Sequence, residues 1–270
     1  MGDPRVVVTR PEADAQALAR DLTAAGLQPT VLPLIEVSAV AAREPLDQAW
    51  RSMPHYLAVM FVSANAVEHF FSRRPGGMSA FNTASGLTAR AWATGPGTVK
   101  ALLRQGAEAT WVDAPLSEAG RFDSDSLWQA VRPQVQPGDR VLIVRGVDGA
   151  QGAPAQGDRG TGRDWLSDQL TQVGALVDFV VAYRRRAPAW GPQQLAQARN
   201  AAADGSVWLF SSAQALVNLQ GLLPAQDWST ARAVATHPRI AAAVRKAGFG
   251  VVCESRPVLA EMVASIESIG

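Results

Sequence analysis

The chain has 270 residues and is 47% hydrophobic, which is enough apolar material for one large or two ordinary globular domains. Its 25 basic and 24 acidic residues leave a net charge of +1, so the totals show none of the broad basic surface that duplex nucleic acid requires. The sequence shows no signal-peptide pattern, and no apolar run is long enough to cross a bilayer. We therefore expect a cytoplasmic protein that binds neither nucleic acid nor membranes and that holds any anionic ligand locally.

In chain order, the predicted elements occur twice. Each matched pair consists of an apolar strand that runs into a turn and then a helix, and several of these helices end on a glycine. Strand-helix units resemble one another in general, but three ordered pairs in one chain favour an internal duplication. The paired segments are residues 6–26 with 141–174, 59–67 with 208–216, and 89–106 with 231–248.

Continuous apolar strands that alternate with amphipathic helices predict an α/β fold with parallel sheets covered on both faces. Because the elements are duplicated, we expect two similar doubly wound domains. The simplest division from the residues alone is into two sequential halves that meet near Pro137 and Gly138.

Hydroxyl residues, glycines, prolines and two arginines follow the predicted strands, at the ends where open α/β sheets bind their ligands. Unpaired N–H groups of helix N-termini at these positions attract anions. The same residue types also serve as ordinary helix caps, and the sequence leaves both interpretations open. The candidate anion-binding residues are Thr9, Arg10, Ser63, Ala64, Asn65, Thr94, Gly95, Arg145, Gly146, Ser211, Ser212, Thr236 and Pro238.

Other common chemistries find little support in the sequence. The glycine-rich stretch 146–162 lacks the third glycine of a dinucleotide fingerprint, and no P-loop ending occurs, so a surface insertion is the favoured interpretation. The three histidines lack metal-ligand spacing, and the single cysteine, Cys253, lies in an apolar run typical of a buried thiol. We predict no metal site and no cofactor.

Several short blocks resemble the signature blocks of uroporphyrinogen-III synthases. No single block is specific, but their order and their coverage, from about residue 5 to the C-terminus, are typical of that family. The blocks are residues 6–12, 32–36, 61–67, 94–98, 121–124, 144–146, 162–163, Tyr183 and 210–212.

The resemblance implies a domain order that differs from sequential halves. One domain would contain both chain ends, residues 1–37 plus 187–270, and the other, residues 41–175, would be inserted between them. Two extended linkers, residues 32–40 and 176–186, would connect the domains, with the active site in the interdomain cleft.

The resemblance also implies an enzyme that cyclises hydroxymethylbilane, a linear tetrapyrrole with acetate and propionate groups, to uroporphyrinogen III. A hydroxyl leaves as water, the substituted carbon of ring D is attacked, and a spiro intermediate rearranges so that ring D is inverted. Spontaneous closure gives the uninverted isomer, so the enzyme mainly has to hold the substrate in the required geometry. The family implies no cofactor, a handover of substrate from hydroxymethylbilane synthase, and a monomer.

Three residues gain a role only through this resemblance. Tyr183 matches the cleft tyrosine of the family, whose proposed role is to donate a hydrogen bond to the departing hydroxyl. Thr98 matches an orienting hydroxyl, although a threonine at a helix start is an equally open interpretation, and Ser124 lies in a block before a helix.

The chain also departs from the family pattern. His237 and Pro238 stand where the family often has Gly-Pro-Thr-Thr, which leaves carboxylate binding at that helix open. The alternative to the enzyme is a non-catalytic two-domain relative that holds an anionic ligand without transforming it.

Overall fold

The computed structural model describes residues 4–76, 78–115, 124–149 and 162–270, apart from the side chains of residues 85, 124 and 162–164. The chain divides into two compact units. Unit 1 comprises Met1–Glu36 and Arg186–Gly270, and unit 2 comprises Val37–Arg185. Both chain ends therefore belong to unit 1.

Strands and helices alternate along most of the described chain. In chain order the elements are β1 (Arg5–Val8), α1 (Glu12–Ala24), β2 (Gln28–Val31), β3 (Glu36–Ala39), α2 (Glu44–Arg51), β4 (Ala58–Phe61), α3 (Ala64–Phe71), β5 (Arg90–Ala93), α4 (Pro96–Arg104), β6 (Val112–Asp113), α5 (Ser124–Val131), β7 (Arg140–Asp148), α6 (Gly162–Gln172), β8 (Leu176–Arg186), α7 (Pro192–Ala201), β9 (Val207–Phe210), α8 (Ala213–Leu222), β10 (Arg232–Ala235), α9 (Pro238–Lys246), β11 (Val251–Glu254) and α10 (Leu259–Ile269).

Unit 1 has a parallel sheet with the order β2-β1-β9-β10-β11 among its described strands. From β1 the chain passes to β2 on one side, whereas β9 lies on the other side of β1. The strand order therefore reverses between β1 and β9, and doubly wound sheets bind their ligands at such a reversal.

The sheet of unit 2 has the order β3-β8-β7-β4-β5-β6 among the described strands, and the pairs from β8 to β6 are parallel. β7 pairs with β8 on one side and with β4 on the other. The second reversal therefore lies between β7 and β4.

Apart from the additional edge strand β3 in unit 2, the two sheets have the same strand order and the same register. Val6 lies opposite Val207 in unit 1, and its counterpart Val141 lies opposite Ala58 in unit 2. The pairing of β10 with β9 likewise repeats in that of β5 with β4. The predicted α/β class with parallel sheets is confirmed.

The duplicated copies exchange strands. The first copy in the sequence supplies β1 to β6, and the second supplies β7 to β11. Unit 1 combines the first two strands of the first copy with the last three of the second, and unit 2 combines the remainder. Each sheet is therefore completed by strands from both copies.

Both faces of each sheet are buried. In β4, Val59 and Phe61 belong to one apolar cluster, whereas Ala58 and Met60 belong to another on the opposite face. This alternation follows from the period of two along a strand, and each fully buried large side chain contributes about 1.5–3 kcal/mol. The sheets are therefore rigid platforms, and the residues at their carboxyl ends project from a fixed framework.

Candidate active site

The strand reversal of unit 1 brings Arg10, which follows β1, next to Ser211, which follows β9. Arg10 Nε donates a hydrogen bond of 3.1 Å to the Ser211 hydroxyl. Within residues 4–76, 78–115, 124–149 and 162–270 the guanidinium forms no other hydrogen bond, so most of its N–H groups can still donate to an anion. Burial lowers the pKa of Arg10, while the Asp14 carboxylate opposes that shift. A carboxylate ligand would compensate this half-buried cation.

Thr9 and Ser212, beside this arginine, have structural partners. Thr9 is 1% exposed, and its hydroxyl donates a hydrogen bond of 2.7 Å to the Leu209 carbonyl, which ties β1 to β9. Ser212 caps α8, where its hydroxyl accepts the N–H of Gln214 at 3.2 Å. The helix-capping interpretation therefore accounts for Ser212, and the Thr9 proton is already used.

The N-terminus of α9 is capped by an imidazole. His237 Nδ1 accepts the backbone N–H of Arg239 at 3.1 Å, and Pro238, the first residue of the helix, has no N–H to offer. Thr236 before them is buried. The histidine that replaces the family's glycine thus takes up one amide that a carboxylate could otherwise use.

The reversal of unit 2 lies beside a pair of hydroxyl groups. Ser63 caps α3, because its Oγ accepts the N–H of Ala66 at 3.1 Å, and the same oxygen lies 3.0 Å from the Tyr183 hydroxyl on β8. The Ser63 side chain forms no further hydrogen bond to the described chain. Either hydroxyl can donate in this pair, because Ser63 Oγ has a second lone pair beside the one that the Ala66 N–H uses. When Ser63 donates, the Tyr183 proton is left for a ligand.

Tyr183 is 2% exposed, and its ring packs into the apolar cluster of unit 2 beside Val144 and Val180. Ser63 is only half-buried. Access to the phenol oxygen is therefore restricted in this structure.

Arg145 is the counterpart of Arg10 in the duplicated register, but Val62 takes the place of Ser211 and has no acceptor to offer. Arg145 Nε is buried without a hydrogen-bond partner in the described part of the chain. Its guanidinium lies 4.6 Å from the centre of the Phe179 ring, a cation–π contact worth about 0.5–1 kcal/mol at an exposed site. The hydrogen-bonding capacity of this arginine is therefore largely unused.

The N-terminus of α4 differs from that of its counterpart α9. Gly95 is the N-cap residue and provides no side-chain cap, and Thr94 before it is half-buried. Thr98, at the helix start, is 4% exposed, and its hydroxyl makes no hydrogen bond to a described residue. This helix end is therefore more open to an anion than that of α9.

The other predicted residues lie at helix starts. Ala64 and Asn65 are the first two residues of α3, and both are half-buried. Ser124 is the first residue of α5, and its side chain lies outside the described residues, as does the segment 121–123.

His69 was not selected by the sequence analysis, which considered it only as a metal ligand. It lies on α3, and its ring stacks on that of Tyr183 with a centroid distance of 5.7 Å and an angle of 20°. Burial lowers the pKa of His69. No pattern in the sequence marks this contact, because it joins residues on α3 and β8 that only the tertiary fold brings together.

Two further features concern only the described residues. No group of three or more His, Cys, Asp or Glu side chains that could hold a metal ion occurs among them. No helix formed by them is long and apolar enough to span a membrane.

The family model, a curated relative and two solved structures that match this chain all belong to one family. The family model for uroporphyrinogen-III synthase HemD matches residues 16–264. The uroporphyrinogen-III synthase of Synechococcus elongatus is 26% identical over 187 residues, which cover 69% of this chain. The matched region spans 62% of the length of that curated relative.

Solved structures support the same fold. Uroporphyrinogen-III synthetase from Helicobacter pylori is 13% identical with a TM-score of 0.54, and the match covers 100% of both chains. A mutant uroporphyrinogen III synthase from Thermus thermophilus is 18% identical with a TM-score of 0.50, and the match covers 98% of each chain. At these identities the likeness concerns the fold.

Proposed function

Because the chain belongs to the uroporphyrinogen-III synthase family, we propose that it cyclises hydroxymethylbilane to uroporphyrinogen III with loss of water and inversion of ring D. The single observation that carries this proposal is the family match over residues 16–264. The geometry of the two strand reversals supports it, since it provides sites for carboxylates and a hydroxyl donor.

The under-paired arginines are the proposed carboxylate ligands. Arg10, which follows β1, and Arg145, which lies within the longer strand β7, occupy equivalent places in the duplicated register. A hydrogen bond between charged partners is worth about 1.5–3 kcal/mol, and each helix N-terminus adds about 0.3–1 kcal/mol. A few such contacts are enough to fix one conformation of a flexible polycarboxylate, although the protein carries a net charge of only +1.

Tyr183 is the proposed donor to the departing hydroxyl. Loss of hydroxide from carbon is slow unless a proton or a hydrogen bond stabilises the leaving oxygen. In this proposal Ser63 accepts the Ala66 N–H and donates its own proton to the Tyr183 oxygen, which leaves the Tyr183 proton for the ligand. Such hydrogen-bond chains strengthen the terminal donor. A terminal hydroxymethyl group is small enough for the restricted approach to the phenol.

Geometry also has to favour the carbon of ring D that does not react spontaneously. In this proposal the arginines and the open N-terminus of α4 hold the carboxylates of the substrate. The substituted carbon of ring D then lies closest to the carbon that loses the hydroxyl. Thr98, with an unused hydroxyl, is the proposed orienting residue beside it. The prediction that the site lies between the two domains stays a prediction.

The decisive experiment is a coupled assay in which freshly made hydroxymethylbilane is supplied to the purified protein and the type I and type III products are separated. Type III product in excess, at a rate proportional to protein concentration, is expected. Only type I product, at the rate seen without protein, would contradict the proposal and would favour the non-catalytic binding relative.

Three further points stay predictions from the sequence: the cytoplasmic location, the monomeric state and the handover from hydroxymethylbilane synthase. The handover is testable by comparing the type I fraction when the two proteins act together and when the intermediate is added from solution. A smaller type I fraction in the joint reaction, at equal flux, is expected.

A further inference from the structure

We infer that His69 is a positioning residue for Tyr183: its ring, together with the bare backbone of Gly146, fixes the tyrosine ring so that the phenol oxygen stays at Ser63. This inference rests on the proposed function for its effect on activity. It does not rest on it for the position of the ring.

Gly146 provides the first contact. A methyl group at this position would lie 2.4 Å from two carbons at the hydroxyl-bearing end of the Tyr183 ring. The register of β7 against β8 shifts between Arg145 and Gly146, which places Gly146 directly opposite Tyr183. Only glycine therefore lets the strand approach the ring so closely.

His69 provides the second contact. Its ring is nearly parallel to that of Tyr183, at 20°, and a stacked aromatic pair is worth about 0.5–1.5 kcal/mol beyond the area it buries. The ring of His69 makes no hydrogen bond within the described chain, so hydrogen bonding does not account for its orientation. The following residues Phe70 and Phe71 are buried in the core of unit 2 and hold this end of α3 in place.

The same helix therefore holds both ends of the tyrosine. Ser63, its N-cap, contacts the hydroxyl, and His69, six residues later, contacts the ring. Because Tyr183 lies on β8, a movement of α3 would disturb both contacts together. The strand β7 holds the ring independently of α3 through Gly146.

The surroundings of His69 favour its neutral form. His69 lines a cavity of about 240 Å³ together with Arg43 and Arg73. Arg73 donates hydrogen bonds of 2.8 and 2.9 Å to the Asp47 carboxylate, which is therefore already paired. The neighbouring Glu68 on α3 pairs with Arg104. A proton on His69 would add a cation that none of these carboxylates is placed to neutralise.

Activity tests the inference through four variants. His69→Ala is expected to lower kcat about 5- to 10-fold with KM within about twofold, because a misplaced donor weakens the reaction more than binding. His69→Phe keeps a stacking ring and is expected to restore at least half of kcat, and His55→Ala, which changes an exposed histidine, is the control. In the Tyr183→Phe background, His69→Ala is expected to have no further effect on kcat.

Tyrosine NMR tests the ring position without any assay of activity. The chain has two tyrosines, so ¹³C-labelled tyrosine gives two assignable sets of ring signals. In His69→Ala the Tyr183 signals are expected to shift by loss of the imidazole ring current, whereas those of Tyr56 stay unchanged. Unchanged Tyr183 signals would overturn the inference, as would wild-type kcat in His69→Ala or an equal further loss in the Tyr183→Phe background. A Tyr183→Phe protein with full activity would instead overturn the catalytic assignment of Tyr183.

Discussion

The two strand reversals share a framework but differ in what they present. In unit 1, Arg10 donates to Ser211, and the helix that follows β10 is capped by His237. In unit 2, the counterpart Arg145 has no acceptor for its Nε among the described residues, and the helix that follows β5 has no side-chain cap. A tyrosine lies beside the serine cap of α3.

This difference shows that the two copies have kept the same sheet but not the same residues at the carboxyl ends of its strands. Strand order and register are equal in both units because they are held by backbone hydrogen bonds and by buried residues on both faces. Apart from Thr9, which ties β1 to β9, the residues at the carboxyl ends are less constrained by the sheet, so the two copies can differ there. In the proposed function, unit 1 holds charge, and unit 2 holds charge and donates a proton.

The largest expected effect tests whether the donor belongs to unit 2. Tyr183→Phe removes the phenol proton and is expected to lower kcat about 100-fold, the lower range for a general acid, while the fold is kept. Tyr56→Phe is the matched control, since Tyr56 is also buried in unit 2 but donates to Asp178. Steady-state rates of type III formation provide the measurement. Equal rates for both variants would remove the proposed distinction between the units.

The second prediction concerns the function that the two units share. Arg10→Ala and Arg145→Ala are each expected to raise KM about 10-fold with a smaller change in kcat, because each removes a charged hydrogen bond to the substrate. Circular dichroism and thermal unfolding serve as folding controls. A rise in KM in one variant alone would show that only that unit binds a carboxylate.

The third prediction concerns a substitution that gives unit 1 the residue found at the equivalent place in unit 2, where Val62 corresponds to Ser211. Ser211→Val removes the acceptor of Arg10 and is expected to lower the free energy of unfolding by about 1 kcal/mol, the usual net value of one hydrogen bond. Ser268→Val removes only an exposed hydrogen bond to the Ser265 carbonyl, which water can replace, and is expected to change it by less than about 0.5 kcal/mol. Urea unfolding of both variants gives the comparison, and equal changes would mean that the Arg10 contact is worth nothing.

The smallest effect is a pH dependence that originates in unit 2. The pKa of His69 in the folded protein is lowered below its ordinary value of 6.5 by burial, so unfolding takes up a proton in acid. The stability that this neutral histidine contributes is present above pH 6.5 and is lost as the pH falls below it. His69→Phe is expected to flatten the decrease in unfolding free energy between pH 7.5 and 5, and His55→Phe is not.

The sequence predicted the framework because strands and helices carry their periodicity in every residue. The matched strands at 6–8 and 141–144 specified equivalent places for Arg10 and Arg145, and the predicted parallel α/β class is confirmed. The residue-level roles were harder to predict, since capping and anion binding use the same residue types. Ser212 and His237 are caps, and no pattern in the sequence distinguishes them from residues with unused donors.

The partners of Tyr183 could not be read from the sequence at all. The contact of His69 with Tyr183 joins residues 114 positions apart by number, and it depends on β8 lying next to β7 and on α3 packing on the same sheet. Gly146 seemed to be a ligand-binding glycine, whereas the structure places its Cα against the tyrosine ring. Such roles follow from tertiary packing, which periodicity does not encode.

The exchange of strands between the copies also affects the order in which the two sheets can fold during synthesis. The hydrogen bond from Thr9 to Leu209 closes a loop between residues 200 positions apart, whereas unit 2 is one continuous stretch, Val37–Arg185. On a ribosome, unit 2 can finish its sheet while β1, with β2 available on one side, still lacks β9 on the other. The edge of β1 that later pairs with β9 is thus unpaired in this interval, and an unpaired strand edge is a template for pairing with another chain.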